Sequence, residues 1–318
     1  MNHLHPDLAA FLDLVNASDK PPMSELGVAQ ARELYDASTL MIDAPGETSA
    51  IALDLSIPCR DGARIGARLY KPDTDATSQP VVLFFHGGGY VLGGLDSHDS
   101  LCEAMAVNTP CAVLAVDYRL APEHKFPTAF HDAEDALQWL RSHGAAHGLD
   151  VDNMAVVGDS VGGSLATALT LSIRDGGKRL PCIQILLYPC INGHQSSESH
   201  KRFWAGYLLE GDTLRWMYAN YLRHDDDRQD WRFAPAHASD LQGLPPALII
   251  LGDHDPLLDE GLLYADMLKK AQVPTELKIY EGMIHDFARL GNIVDEAHHV
   301  RLAIARALRA AFQLPAEH

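Results

Sequence analysis

The stretch that most constrains this chain is Val156-Val157-Gly158-Asp159-Ser160-Val161-Gly162-Gly163. Met154 to Val157 read as the end of a short buried strand, and Leu165, Ala166, Ala168 and Leu169 open a helical pattern beyond the turn. A serine between two glycines in that context is a nucleophile elbow. The turn strains the backbone at Ser160, and Gly158 and Gly162 omit the Cβ atoms that would clash across it. The hydroxyl then stands at a helix N-terminus, where free N–H groups favour developing negative charge. The bare pattern arises by chance in roughly one chain in ten of this length, so alone it does not decide.

A second stretch does. Val81-Val82-Leu83-Phe84-Phe85 is a continuous apolar run that ends in His86-Gly87-Gly88-Gly89-Tyr90. The run suits a buried parallel strand, and three successive glycines suit backbone that must approach something closely. Such a loop supplies N–H donors to an oxyanion hole, completed by the residue after the nucleophile. The donors expected here are Gly87, Gly88 and Val161. His86 is expected to brace the loop.

The chain has 318 residues, 47% of them hydrophobic, enough for a large core. Its net charge of −18 argues against nucleic acid and anionic membrane as partners. Met1 to Pro6 lack the basic and apolar segments of a signal peptide, and no apolar run approaches spanning length. Five scattered cysteines (Cys59, Cys102, Cys111, Cys182, Cys190) show no CxxC spacing. They predict neither a disulfide framework nor a zinc site, and a cytoplasmic protein.

Along the chain, residues 1 to about 45 read as helical. Phe11, Leu12, Leu14 and Val15 form one stripe; Ser24 is a cap for a helix carrying Leu26, Val28, Leu34, Leu40 and Met41. Alternating residues at 51–57 and 63–70 flank Asp61-Gly62, a hairpin. A polar linker at 73–80 follows. Strands then alternate with helices: strands at 81–85, 111–116, 154–157, 183–189, 247–252 and 276–280, and helices at 98–108, 133–143, after the elbow to about 174, 260–271 and 294–312. Between about 190 and 241 periodicity weakens and aromatics gather, the sign of a segment that covers or lines something. Two antiparallel and six further strands predict an α/β fold: a mostly parallel eight-stranded sheet, helices on both faces, and a site at the strand C-terminal ends.

A serine hydroxyl needs a base, itself oriented by a carboxylate. Of the 17 histidines, His285 is the one immediately after the last strand. For the acid, Asp253 and Asp255 are tied on pattern alone.

These stretches, with Asp117-Tyr118-Arg119-Leu120-Ala121-Pro122-Glu123, Asp255-Pro256-Leu257 and Gly282-Met283-Ile284-His285-Asp286-Phe287, resemble the bacterial hormone-sensitive-lipase-like carboxylesterases, a branch of the α/β-hydrolases. The resemblance spans about residues 81–287. It implies a catalytic Ser160, Asp255 and His285, with Asp253 a structural turn residue. It also implies a cap from residues 1–45 and 190–240 over a core of 46–189 and 241–318. Activity on short- to medium-chain acyl esters through an acyl-enzyme follows, with no cofactor and no metal, and dimerisation through the last strand or closing helix is a tendency of that family. The rival enzyme is an amidase or arylacetamide deacetylase; a hormone-binding receptor of the same fold is disfavoured because Ser160, Asp255 and His285 are all retained. The chain departs from the pattern at Val161, usually alanine, and at Asp286, often glycine. Val161 is expected to tune acyl fit; the sign of Asp286's effect on His285 is left open. Arg119 and Glu123 are expected in one structural polar network.

Overall fold

The computed structural model describes residues 3–18, 21–43, 46, 49–74 and 77–315. The expectations for residues 1–2, and for parts of the 1–45 and 73–80 segments, lie outside these described residues. The hairpin is present: β1 (Ala50–Pro58) pairs antiparallel with β2 (Arg64–Pro72). Six strands follow: β3 (Gln79–Phe85), β4 (Ala112–Asp117), β5 (Leu149–Asp159), β6 (Gln184–Leu187), β7 (Ala247–Gly252) and β8 (Thr275–Tyr280). One sheet of order β1-β2-β4-β3-β5-β6-β7-β8 holds all eight, and its pairings from β4 to β8 are parallel. β6 and β7 are buried along their whole length. Each fully buried Val, Leu or Ile there contributes about 1.5–3 kcal/mol.

Nine α-helices lie among the described residues. Two precede the sheet, α1 (Pro6–Asn16) and α2 (Val28–Ile42). Within the core come α3 (Asp99–Asn108), α4 (Thr128–His143) and α5 (Val161–Asp175). The segment between β6 and β7 carries α6 (Glu198–Arg202) and α7 (Gly211–Tyr221); α8 (Leu258–Lys270) and α9 (Glu296–Ala311) complete the set.

The structure corrects the local reading in several places. α1 buries Leu8 and Leu12, while Leu14 is 76% exposed. In α2 Leu40 and Met41 face out, and the helix is preceded by Gly27, not capped by Ser24. The inward side of α2 is mixed: Ala31, Val28 and Ile42 pack on the apolar core, while Arg32, Tyr35 and Thr39 bond to charged groups described below. β5 begins at Leu149, five residues early, since Asp150, Asp152 and Asn153 hide its apolar alternation. α4 likewise starts at Thr128: its buried face includes Asp132, which pairs with Arg119. α7 buries Leu214, Met217, Tyr218 and Tyr221, a helical spacing diluted by polar neighbours.

Candidate active site

β5 lies between β3 and β6, so the elbow at its end opens in the middle of the sheet edge. Ser160 has φ 53° and ψ −122°, the strain expected of the turn. Its N–H donates to the Leu187 carbonyl at 2.8 Å, and its own carbonyl accepts from Gly163 and Cys190. A Cβ at Gly158 would overlap the Gly162 carbonyl, and one at Gly162 the Phe85 carbonyl. Neither neighbour is a side chain that can swing away. Gly162→Ala should therefore lower the midpoint of urea unfolding, with about 3 kcal/mol of stability lost.

His285 follows β8 and is 5% exposed. Its Nε2 lies 3.1 Å from Ser160 Oγ and its Nδ1 2.7 Å from Asp255 Oδ2. Asp255 is fully buried, and its second oxygen accepts from the Leu257 N–H at 2.7 Å. Asp253 has other partners: its Oδ1 accepts from the Gly282 N–H and from His254 Nδ1, each at 2.7 Å. Of the two carboxylates, Asp255 is thus the one hydrogen-bonded to His285. Burial alone would lower the His285 pKa, but the Asp255 charge and hydrogen bond outweigh it, and Asp286 and Asp159 add to the rise. The sign left open by the sequence is upward.

The glycine loop needs one correction. The Gly87 N–H is not free, because it donates to Asp159 Oδ1 at 3.0 Å. Asp159, the residue before the nucleophile, pins the loop to the elbow. Gly88, Gly89 and Val161 donate their N–H groups to no partner among the described residues, and all three line the same cavity as Ser160. His86 braces the loop as expected: it stacks on Tyr118 with ring centroids 4.3 Å apart, and its Nδ1 meets the Gly87 carbonyl at 2.7 Å. Burial pushes its pKa down to about 3, so it stays neutral.

The cavity over Ser160 measures about 120 Å³. Leu208, Leu209, Leu214 and Met217 line it from the β6–β7 segment, and Met23, Tyr35 and Ile42 from the N-terminal segment. Arg119 and Glu123 are not one network. Arg119 pairs with Asp132 and Asp61, whereas Glu123 accepts two bonds from Arg32 of α2. Among the described residues, one group has metal-ligand spacing, Cys59 with Asp132 and Asp135. Arg119 and Arg60 already occupy those carboxylates, so the group does not suit a metal. All five cysteines are free. Among the described residues no helix is long and apolar enough to cross a membrane.

A serine hydrogen-bonded to a histidine at the elbow of such a sheet defines the α/β-hydrolase class. The comparisons agree. A family model of the alpha/beta hydrolase fold matches residues 82–289. Ethyl acetate hydrolase of Pseudomonas putida is 41% identical over 313 residues, 96% of this chain and 98% of that protein. Carboxylesterase NlhH of Mycobacterium tuberculosis is 37% identical over 254 residues, 77% of this chain and 79% of that protein. An α/β-hydrolase enzyme from the metagenome of Lake Arreo, Spain, superposes with a TM-score of 0.94 at 33% identity, covering 98% of this chain and 99% of that one. A thermostable esterase from Pseudomonas putida ECU1011 gives 0.92 at 30% identity, with 98% and 99% covered. The chain belongs to the α/β-hydrolase family, in its hormone-sensitive-lipase-like branch.

His98, Asp159, Tyr35 and Arg289 surround this site, and the sequence assigned none of them a role. Only Arg289, three residues after Asp286, carried a local signal.

Proposed function

We propose that the chain hydrolyses carboxylic esters of short to medium acyl length through Ser160, His285 and Asp255. The observation that carries this reading is the hydrogen-bonded series Asp255–His285–Ser160 opening on an apolar cavity. Ser160 Oγ attacks the ester carbonyl while His285 Nε2 takes its proton; Asp255 holds the Nδ1–H tautomer and stabilises the imidazolium. The N–H groups of Gly88, Gly89 and Val161 receive the oxyanion, each such donor contributing about 2.7–4 kcal/mol. His285 then protonates the leaving alcohol, and water repeats the sequence on the acyl-enzyme.

The leucines and Met217 favour an apolar acyl group, and a cavity of about 120 Å³ favours a short one. Similarity to an ethyl acetate hydrolase supports the same range. Residues 1–45 and 190–240 act as a cap, since both contribute to the cavity wall. Five free cysteines suit a cytoplasmic setting. A panel of p-nitrophenyl esters from acetyl to palmitoyl, with p-nitroacetanilide beside it, tests the substrate class. Turnover is expected to peak at acetyl to butyryl and fall steeply by octanoyl. A peak at palmitoyl, or faster release from the anilide, would sink this reading.

Asp286 offers a second test. Its carboxylate favours the charged imidazolium, as do those of Asp255 and Asp159. Asp286→Asn keeps the shape and removes the charge while Arg289 stays. The His285 pKa should fall, and the base must be neutral to act. The acidic limb of kcat/KM is therefore expected to move to lower pH; an upward move would contradict the electrostatic account.

A further inference from the structure

Arg289 is fully buried, and the proposed chemistry does not use it. Its partners come from three parts of the chain. Nη1 donates to Asp286 Oδ2 at 2.6 Å and to the Tyr35 hydroxyl at 2.5 Å. Nη2 donates to Thr39 Oγ1 at 2.9 Å, and Nε to the Ser97 carbonyl at 3.0 Å. A buried guanidinium is tolerated only when its charge and donors are met, so losing one partner disturbs the others.

Two of those partners, Tyr35 and Asp286, face the cavity, and Arg289 holds both from behind. Asp286 also follows His285 directly, with φ 67°, a left-handed conformation that a non-glycine residue keeps only when its surroundings enforce it. The bond to Arg289 is one such constraint. Asp286 makes no hydrogen bond to α2 among the described residues. Arg289 stands between them.

We infer that Arg289 is a positioning residue that couples the seating of α2 to the placement of His285, so that the pocket wall and the base form together. The inference rests on His285 being the base, as proposed above. Through the Arg289 fork, loosening α2 frees Asp286, and freeing Asp286 loosens α2.

Two measurements test it, the first without reference to catalysis. Hydrogen–deuterium exchange over residues 28–42 is compared in the wild type and Asp286→Asn. About tenfold faster exchange of the protected α2 amides is expected. Unchanged exchange would overturn the coupling. The second measurement uses Thr39→Val, a near-isosteric change outside the cavity. Hydrolysis of p-nitrophenyl butyrate is normalised to the chains that react with a phosphonate titrant, so misfolded protein does not count. Thr39→Val and Asp286→Asn should each lower kcat/KM about tenfold, and the double variant little more than either. Multiplying effects, or a Thr39→Val within twofold of wild type, would mean that Arg289 serves stability alone. If the wild type hydrolysed no ester, the proposed function would fail, while the exchange measurement would still judge the coupling.

Discussion

His285→Ala is expected to lower kcat for a short-chain p-nitrophenyl ester about 10⁶-fold, the loss measured when a triad base is removed elsewhere. The size follows from the site. Among the described residues Ser160 Oγ has one basic partner, His285 Nε2 at 3.1 Å; the next hydrogen-bonding contact is the weak Cys190 sulfur at 3.9 Å. Burial raises the Cys190 pKa, so no thiolate is present to substitute. His86 and His98 are buried within the loop framework: His86 is bound to the Gly87 carbonyl and His98 to Asp159. In the proposed triad the serine and histidine act as a unit, so the double variant Ser160→Ala/His285→Ala should be no worse than either single change. The residual rate should remain above that of water, because the proposed oxyanion donors of Gly88, Gly89 and Val161 are still in place. Folding is checked by circular dichroism. A loss below about a hundredfold in folded protein would mean that another group takes the proton.

Asp255→Asn carries the second large effect, about 10⁴-fold in kcat. Asparagine keeps the volume and the bond to the Leu257 N–H, but its amide can donate to Nδ1 and so select the tautomer with no free Nε2 lone pair. The paired comparison is Asp253→Asn. Asp253 serves the Gly282 N–H and His254, so its change is expected to cost about 1–2 kcal/mol of stability. Activity per folded chain should stay near wild type. Steady-state kinetics and urea unfolding on both variants separate the roles, and a reversed pattern would move the acid to Asp253.

That comparison marks the limit of what the sequence could disclose. The elbow and glycine loop were legible because their signals are local: glycines at fixed offsets, each bounded by an apolar strand. The strands were legible for the same reason, even where polar residues hid the start of β5. Two aspartates in one turn cannot be told apart by spacing, because the choice depends on which carboxylate is spent on Gly282, 29 residues away in sequence. Gly87 was misread likewise, since its N–H is taken by a carboxylate 72 residues downstream. α2 departs from its apolar stripe because part of its inner side is polar. A hydrophobic stripe points inward only where the core is apolar, and Tyr35 and Thr39 point inward to Arg289, more than two hundred residues away.

The most direct measurement is covalent. The purified chain is mixed with excess p-nitrophenyl alkylphosphonate, which a serine nucleophile attacks but cannot turn over. Released p-nitrophenol is counted and the labelled peptide mapped by mass spectrometry. One equivalent per chain, one adduct on Ser160 and no reaction in Ser160→Ala are expected. An unlabelled wild type that is folded, or an equal adduct in Ser160→Ala, would contradict Ser160 as the nucleophile.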